Sequence, residues 1–359
     1  MQKSQKSTNF AKRIIHYSRN ETSYLTFYMI KYTPIYTDIT SWVQCQFFQT
    51  GGTRAKCWVL NPFDNNRYFF KISLKKQVID YHSEFWMEII ASKLGQSLGL
   101  RMLDYNIAKQ ENLIGCISKN MCEDCFELVE TTRILSGFDE TYNPASKKDQ
   151  VRYTFNFLYE ALKSKNLHNQ VDKFIEVLVF DTIIGNQDRH QDNWGFIKPT
   201  SNEVVVEKKS IFFWRKISLK TVNSWDVAKF SPIYDSGSCL GHELTEEKVS
   251  QMLKNEMQLN AYVRRGKPEL RWVDKKLSYY ELLNCLLQDN RFKQLTRAVI
   301  KRILEKFNSS IFAEIVHNID NAIPESEYEF KLSDNRKKLV IQLTNKRISL
   351  LRELLNNGI

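Results

Sequence analysis

Hydrophobic and polar positions alternate differently in the two parts of the chain. From about residue 41 to 120 the pattern is that of strands around one helix. Trp42 to Phe48 is aromatic and β-prone, Thr50-Gly51-Gly52-Thr53-Arg54 supplies turn residues, and Lys56 to Leu60 reads as a returning strand. The cluster Asn61-Pro62-Phe63-Asp64-Asn65-Asn66 marks a turn before a third strand, Tyr68 to Leu74. Between Ile79 and Leu98, Phe85, Ile89, Leu94 and Leu98 recur at helical spacing, and Gly99 can close that helix. Two short strands follow, Met102 to Ala108 and Leu113 to Ser118. From about Phe126 the pattern turns mainly helical. Stripes run over Val151 to Leu162, Val171 to Ile184, Phe292 to Phe307 and Leu339 to Leu354, and such stripes are core rather than chemistry. Asn202 to Val222 reads as a polar, strand-prone insertion, and no internal repeat is visible. The pattern predicts an α+β chain: an extension over residues 1–40, a small β-rich lobe over 41–121, a connector near Ser118 to Met121, and a helical lobe over 122–359.

Composition narrows the class without naming a chemistry. A chain of 359 residues can bury two cores, and 42% apolar with 13% aromatic residues marks a globular protein. No apolar run reaches the roughly 18–20 residues of a membrane span, and Tyr24 to Ile30 is too short and too polar for a signal peptide. Seven scattered cysteines suit reduced thiols of a cytoplasmic protein. Cys122-Glu123-Asp124-Cys125 lacks the second ligand pair that a zinc ribbon needs. The net charge of +11 raises nucleic-acid binding, but Lys and Arg are interleaved with Asp and Glu and no nucleic-acid motif appears. A basic surface suited to an acidic partner or to ATP is the plainer reading.

The residues that carry chemistry lie in Gly185-Asn186-Gln187-Asp188-Arg189-His190-Gln191-Asp192-Asn193-Trp194-Gly195-Phe196 and on either side of it. Asp188 and Asn193 have the D-x-x-x-x-N spacing of a kinase catalytic loop, in which the Asp faces the acceptor hydroxyl and the Asn faces a metal. Alone, this is as readily a polar surface loop. Downstream, Ile233-Tyr234-Asp235-Ser236-Gly237 fits a second metal-binding loop, where Gly permits the turn; Asp226 is a rival ligand without the following Gly. Upstream, Lys71 stands mid-strand between apolar neighbours, as a lysine reaching nucleotide phosphates must, and Glu88 in the next helix can hold it, with Glu84 as competitor. Gly51, Gly52, Thr53 and Arg54 form a hairpin tip whose backbone N–H groups can cradle phosphate. Each signal is weak alone. Their joint order, Gly-rich hairpin, strand Lys, helix Glu, D-x-x-x-x-N and D-x-G, points to phosphoryl transfer from ATP with Mg²⁺.

Three stretches resemble the HipA-like serine/threonine kinases, and most closely the compact CtkA type of that family. They are Asp181 to Phe196, Ser231-Pro232-Ile233-Tyr234-Asp235-Ser236-Gly237-Ser238-Cys239-Leu240, and Gln96-Ser97-Leu98-Gly99-Leu100; the end from Asn318 to Leu351 is also similar. The resemblance runs from about residue 45 to the C-terminus. It implies a two-lobed fold shared distantly with phosphatidylinositol kinases, which use the same Asp-Arg-His order. It further implies Asp188 as catalytic base, Asn193 and Asp235 as Mg²⁺ ligands, Lys71 as the ATP-phosphate lysine and Glu88 as its ion-pair partner. His190 would brace the loop or contact phosphate, and Ser118 with Asn120 would lie in an adenine-facing hinge. The family's Gly-rich loop often carries an autophosphorylated hydroxyl residue, which makes Thr50 and Thr53 candidates. The implied partners are ATP, a protein with a Ser or Thr acceptor, and an antitoxin or a host protein; a cytoplasmic toxin and a secreted effector fit equally. A lipid or small-molecule kinase, and a pseudokinase that binds an acidic partner, are the competing readings. One departure is the long span between Asn193 and Asp235, positions 194 to 234, which contains the polar insertion.

Overall fold

A computed structural model describes residues 32–45, 56–73, 83–209 and 217–357. The first strands are β1 (Tyr36–Asp38), β2 (Val43–Gln44), β3 (Lys56–Leu60) and β4 (Arg67–Ile72). After helix α1 (Glu84–Ser97) come β5 (Tyr105–Gln110) and β6 (Leu113–Lys119). These six strands form one sheet in the order β1-β5-β6-β4-β3-β2, antiparallel except where β1 runs parallel to β5 with Tyr36 opposite Ile107. The sheet therefore takes in residues that the sequence reading left in the N-terminal extension, and Ile39 just beyond β1 is fully buried.

Period-2 alternation decides what each sheet face does. Phe70 joins Ile39, Trp42, Val59, Ala108 and Ile117 in a small apolar cluster on one face. Its neighbour Lys71, paired with Cys116 on β6, points to the other face, where α1 packs. A left-handed Gly99 (φ +72°) ends the α1 segment as expected, and Leu100 N donates back to Gly95 O at 2.9 Å.

The helical lobe does not begin at Phe126 as the pattern suggested. Phe126–Glu130 is strand β7, paired antiparallel with β8 (Gly195–Pro199), which also carries β11 (Lys229–Phe230). The alternation in Phe-Glu-Leu-Val-Glu is too short to outweigh the helical stripes that follow it. The insertion is the hairpin β9 (Glu203–Lys209) and β10 (Ile217–Asn223), in register from Glu203–Asn223 to Lys209–Ile217. Beyond α1, nine further α-helices are described: α2 (Thr131–Phe138), α3 (Phe155–Ser164), α4 (Val171–Ile184), α5 (Glu246–Leu253), α6 (Glu256–Arg264), α7 (Tyr279–Gln288), α8 (Lys293–Lys306), α9 (Ser309–His317) and α10 (Asp334–Asn357). Every residue of α4 from Phe174 to Ile184 is buried, because the helix is covered by α7, α8 and α10. Among the described residues no helix is long and apolar enough to cross a membrane.

Candidate active site

Buried helix α4 delivers the Asp188 loop from the middle of the lobe. Gly185 ends that helix in the left-handed region (φ +67°), and Arg347 of α10 packs into the space where a side chain would stand, with its Nη1 on Ile184 O at 2.9 Å. Asn186 Oδ1 then accepts the N–H of Asp188 at 3.1 Å, and Tyr279 donates to the carbonyl of Asn186. At the loop's exit Trp194 stacks on Phe174 with ring centroids 3.5 Å apart. Both ends are thus held by core residues.

Lys71 is buried and bridges two carboxylates, Glu88 Oε2 at 2.8 Å and Asp235 Oδ1 at 2.6 Å. Burial opposes its charge, but Asp235 and then Glu88 outweigh it and hold the ammonium pKa well above the usual lysine value. Of the two helix carboxylates weighed for this pairing, Glu88 is the one in the Lys71 ion pair. Glu88 also accepts the backbone N–H of Ser236 at 2.6 Å and of Gly237 at 3.1 Å. One carboxylate therefore positions both the lysine and the Asp235 loop.

The sequence reading assigned the tight turn of this loop to Gly237, and the structure corrects that. The left-handed residue is Asp235 itself (φ +52°), while Gly237 has no such φ. What Gly237 provides is close approach: a methyl there would lie 3.0 Å from Glu88 Oε2 and 3.3 Å from the Glu84 carbonyl oxygen.

Arg189, to which the sequence reading gave no role, joins the two loops. It is buried, donates Nε and Nη2 to the two oxygens of fully buried Asp181 at 3.0 Å each, and donates Nη1 to Asn193 O at 3.0 Å. Across the gap it reaches the carbonyl of Tyr234, the carbonyl of Asp235 at 3.4 Å and Ser236 Oγ at 2.8 Å. Burial works against its charge, and Asp181 outweighs that, so the guanidinium stays protonated. The signal available in the sequence was an Asp in an apolar helix eight positions before an Arg, since a buried carboxylate needs a partner.

The remaining expected residues fall as follows. Asp188 is exposed at the mouth of the cleft, with Ser238 Oγ 3.5 Å from its Oδ2. Asn193 Nδ2 donates to Asp188 O at 2.8 Å, which orients the amide so that Oδ1 is the atom offered to a cation. Asn193 and Asp235 are two protein oxygen donors, which suits Mg²⁺ held jointly with phosphate oxygens and water rather than in an all-protein cage. Among the described residues no group of three or more His, Cys, Asp or Glu forms a metal site, and all seven cysteines, including Cys122 and Cys125, are free thiols. His190 sits against Asp192, Nδ1 accepting the Asp192 N–H at 3.3 Å and lying 3.5 Å from its Oδ2. That carboxylate raises the imidazole pKa, and Asp188 adds to it, against opposing burial. Asp226 is exposed in the short turn Ser224–Val227. Ser118 is buried in β6 opposite Phe69 and Tyr105, and Asn120 folds its amide onto the backbone of Cys122. Thr50, Gly51, Gly52, Thr53 and Arg54 lie outside the described residues.

A β-rich lobe over a helical lobe, with Lys71 and Glu88 above and the Asp188 and Asp235 loops below, is the two-lobed kinase-like fold. The resemblance to HipA-like kinases of the CtkA type, read from the motifs, is borne out by the relatives. Serine/threonine-protein kinase CtkA of Helicobacter pylori is 23% identical over 296 residues, 79% of this chain and 80% of that protein. The crystal structure of a Helicobacter pylori proinflammatory kinase CtkA superposes with a TM-score of 0.65 at 20% identity, covering 90% of this chain and 98% of that one. A HipA chain from a Shewanella oneidensis HipA, HipB and operator DNA complex aligns at TM-score 0.49 and 11% identity, over 86% of this chain and 67% of that one, too distant to carry an argument. No protein-family model matches the chain.

Proposed function

We propose that the chain is an ATP- and Mg²⁺-dependent serine/threonine protein kinase that also phosphorylates itself. The observation that carries this reading is the Lys71 ammonium, buried between Glu88 and Asp235, whose loop is bonded to Arg189 of the Asp188 loop. A buried lysine with two carboxylate partners is costly to maintain for structure alone, and nucleotide phosphates need a cation of this kind. The similarity to a protein named as a serine/threonine kinase supports the same reading.

In this reading Asp188 accepts the proton of the acceptor hydroxyl. Its exposure suits that role, because the acceptor arrives from solvent. Asn193 and Asp235 hold Mg²⁺, which neutralises charge on the phosphates of bound ATP. Glu88 keeps Lys71 extended into the cleft and fixes the Asp235 loop by its two N–H bonds. Arg189 sets the spacing between the loops, and His190 braces the Asp188 loop against Asp192. Thr50 and Thr53 are the proposed autophosphorylation sites, and the hinge at Ser118 and Asn120 is the proposed adenine contact.

The test is label transfer from [γ-³²P]ATP with Mg²⁺, to a generic Ser/Thr substrate and to the chain itself, beside Asp188→Asn. Asp188 is exposed, so the variant should fold normally, while transfer falls by about 10²–10⁴, the usual contribution of a positioned acid–base group. Undiminished transfer in the variant would remove Asp188 as the base.

A further inference from the structure

Where the two lobes meet, a cavity of about 340 Å³ is walled by Arg101 from the segment after α1, Lys173 and Glu176 of α4, Lys229 and Ser231 around β11, and Arg302 of α8. None of Lys71, Asp188, Asn193 or Asp235 lines it. Four cations against one carboxylate leave the wall strongly positive. Glu176 is buried, and its Oε1 accepts from Lys173 Nζ at 2.7 Å and from Arg302 Nη2 at 2.6 Å, so the carboxylate holds both cations in place while neutralising only one charge. Asp172, outside the wall, also approaches Lys173 at 3.3 Å. Arg101 donates to the carbonyl of Phe230 at 2.8 Å. No carboxylate pairs with Arg101 or Lys229 among the described residues.

A second observation is independent of this charge. Ser231 is 1% exposed and its Oγ has no hydrogen-bond partner, although its backbone N–H is satisfied by Gly195 O at 2.9 Å. Buried hydroxyls are normally paired, and this unpaired donor belongs to a residue that lines the cationic cavity. The cavity also spans the lobe junction, since Ile233 N donates to Arg101 O at 2.8 Å and Leu103 N to Ile233 O at 2.9 Å along its wall.

We propose that this cavity binds a small phosphate-bearing anion, with the Lys and Arg side chains on the phosphate oxygens and the Ser231 hydroxyl donating to one of them. Its volume suits a small molecule rather than a polymer or a folded partner, and planar guanidinium groups are matched to phosphate. Being separate from the Lys71 cleft, the site stands whether or not the chain is a kinase.

Titration of the full chain with pyrophosphate by calorimetry tests this, beside Lys229→Gln/Arg302→Gln and Ser231→Ala. Lys229 is exposed, and Lys173 remains on the buried Glu176 carboxylate when Arg302 is replaced, so thermal unfolding should move little, which a parallel melt checks. Expected is a binding event that the double variant weakens by about tenfold or more and Ser231→Ala by about threefold, as charge-assisted and neutral hydrogen bonds are lost. Added salt should weaken it further. Inorganic phosphate and AMP in place of pyrophosphate separate a free-phosphate site from one that also reads an organic group. Binding to the Lys71 cleft would persist in all three proteins as a distinct event. Every event unchanged in the double variant, or no binding below about 10 mM, overturns the proposal.

Discussion

Replacing Arg189 by methionine is expected to remove much of the protein's stability, and the structure says why. Asp181 is fully buried, and Arg189 is its charge partner, through two bonds of 3.0 Å. Taking away one member of such a pair strands a charge in the core, at about 3–5 kcal/mol, against a total of about 5–15 kcal/mol for a typical domain. Burial already raises the Asp181 carboxyl pKa with Arg189 present, so the stranded group would take up a proton more readily still. Adding Asp181→Asn removes the charge while keeping an oxygen for the amide of Asn186, which now stands 3.3 Å from Asp181 Oδ1. The double variant should therefore recover about 2 kcal/mol or more relative to Arg189→Met, because its residual cost is that of neutral hydrogen bonds. Urea denaturation followed by circular dichroism reads these differences. The same proteins separate folding from the proposed chemistry. With Arg189 gone, its bonds to Asn193 O, the Tyr234 and Asp235 carbonyls and Ser236 Oγ are lost and the Tyr234 hydroxyl on Asp192 O at 2.8 Å remains; a displacement of about 1 Å at a reacting site costs about 10²-fold in rate. Phosphoryl transfer by the double variant should stay down by about that factor. Arg189→Met within 1 kcal/mol of the parent, or a double variant no more stable than the single, would refute the ion-pair reasoning; full transfer by the double variant would refute the role in spacing the loops.

Two further outcomes follow from single residues. Gly185→Ala forces an L side chain into φ +67° and places a methyl 2.1 Å from Arg347 Nη2, so a loss of at least about 1–2 kcal/mol is expected in urea titration; a neutral effect would mean that Arg347 and the helix end rearrange freely. His190 has its pKa raised above the ordinary histidine value, first by Asp192 and then by Asp188, with burial opposing. Its stabilising share is therefore fully present below about pH 6.5 and is lost as pH rises through the raised folded value. His190→Gln should flatten that decline in thermal midpoints measured across it, and identical slopes would remove the pairing with Asp192.

Much of the scaffold could be read from the pattern because periodicity and burial coincide there. Lys56–Leu60 and Val171–Ile184 were bounded as the structure has them, one by alternating side chains between turns and the other by an unbroken apolar run. The order of Lys71, Glu88, Asp188, Asn193 and Asp235 along the chain was likewise legible, and the structure brings these residues to one cleft. Two things were not. Strand β7 is five residues long and pairs with β8, some 65 positions away, so its stability is non-local and leaves little trace in its own sequence. The identity of the left-handed residue in the Asp235 loop was also hidden, because Gly is expected wherever a turn is tight, whereas here Gly237 is selected by the nearness of Glu88.

The hardest feature to read was the Arg189 cluster, and the reason bears on how the cleft is built. Arg189 stands between the two residues that attract notice, Asp188 and His190, yet its side chain turns inward while theirs remain half or fully exposed. If Asp188 is the base proposed above, its loop cannot be held by Asp188 itself, since every bond that fixed the carboxylate would compete with that task. Holding is assigned to the next residue, whose fork-shaped guanidinium has enough donors to reach Asp181 beneath, Asn193 alongside and the Asp235 loop opposite. Lysine, with one nitrogen, could not span those three directions. On the proposed function, the Asp-Arg-His order is thus a division of labour, with the exposed Asp188 left for chemistry and the buried Arg189 for geometry.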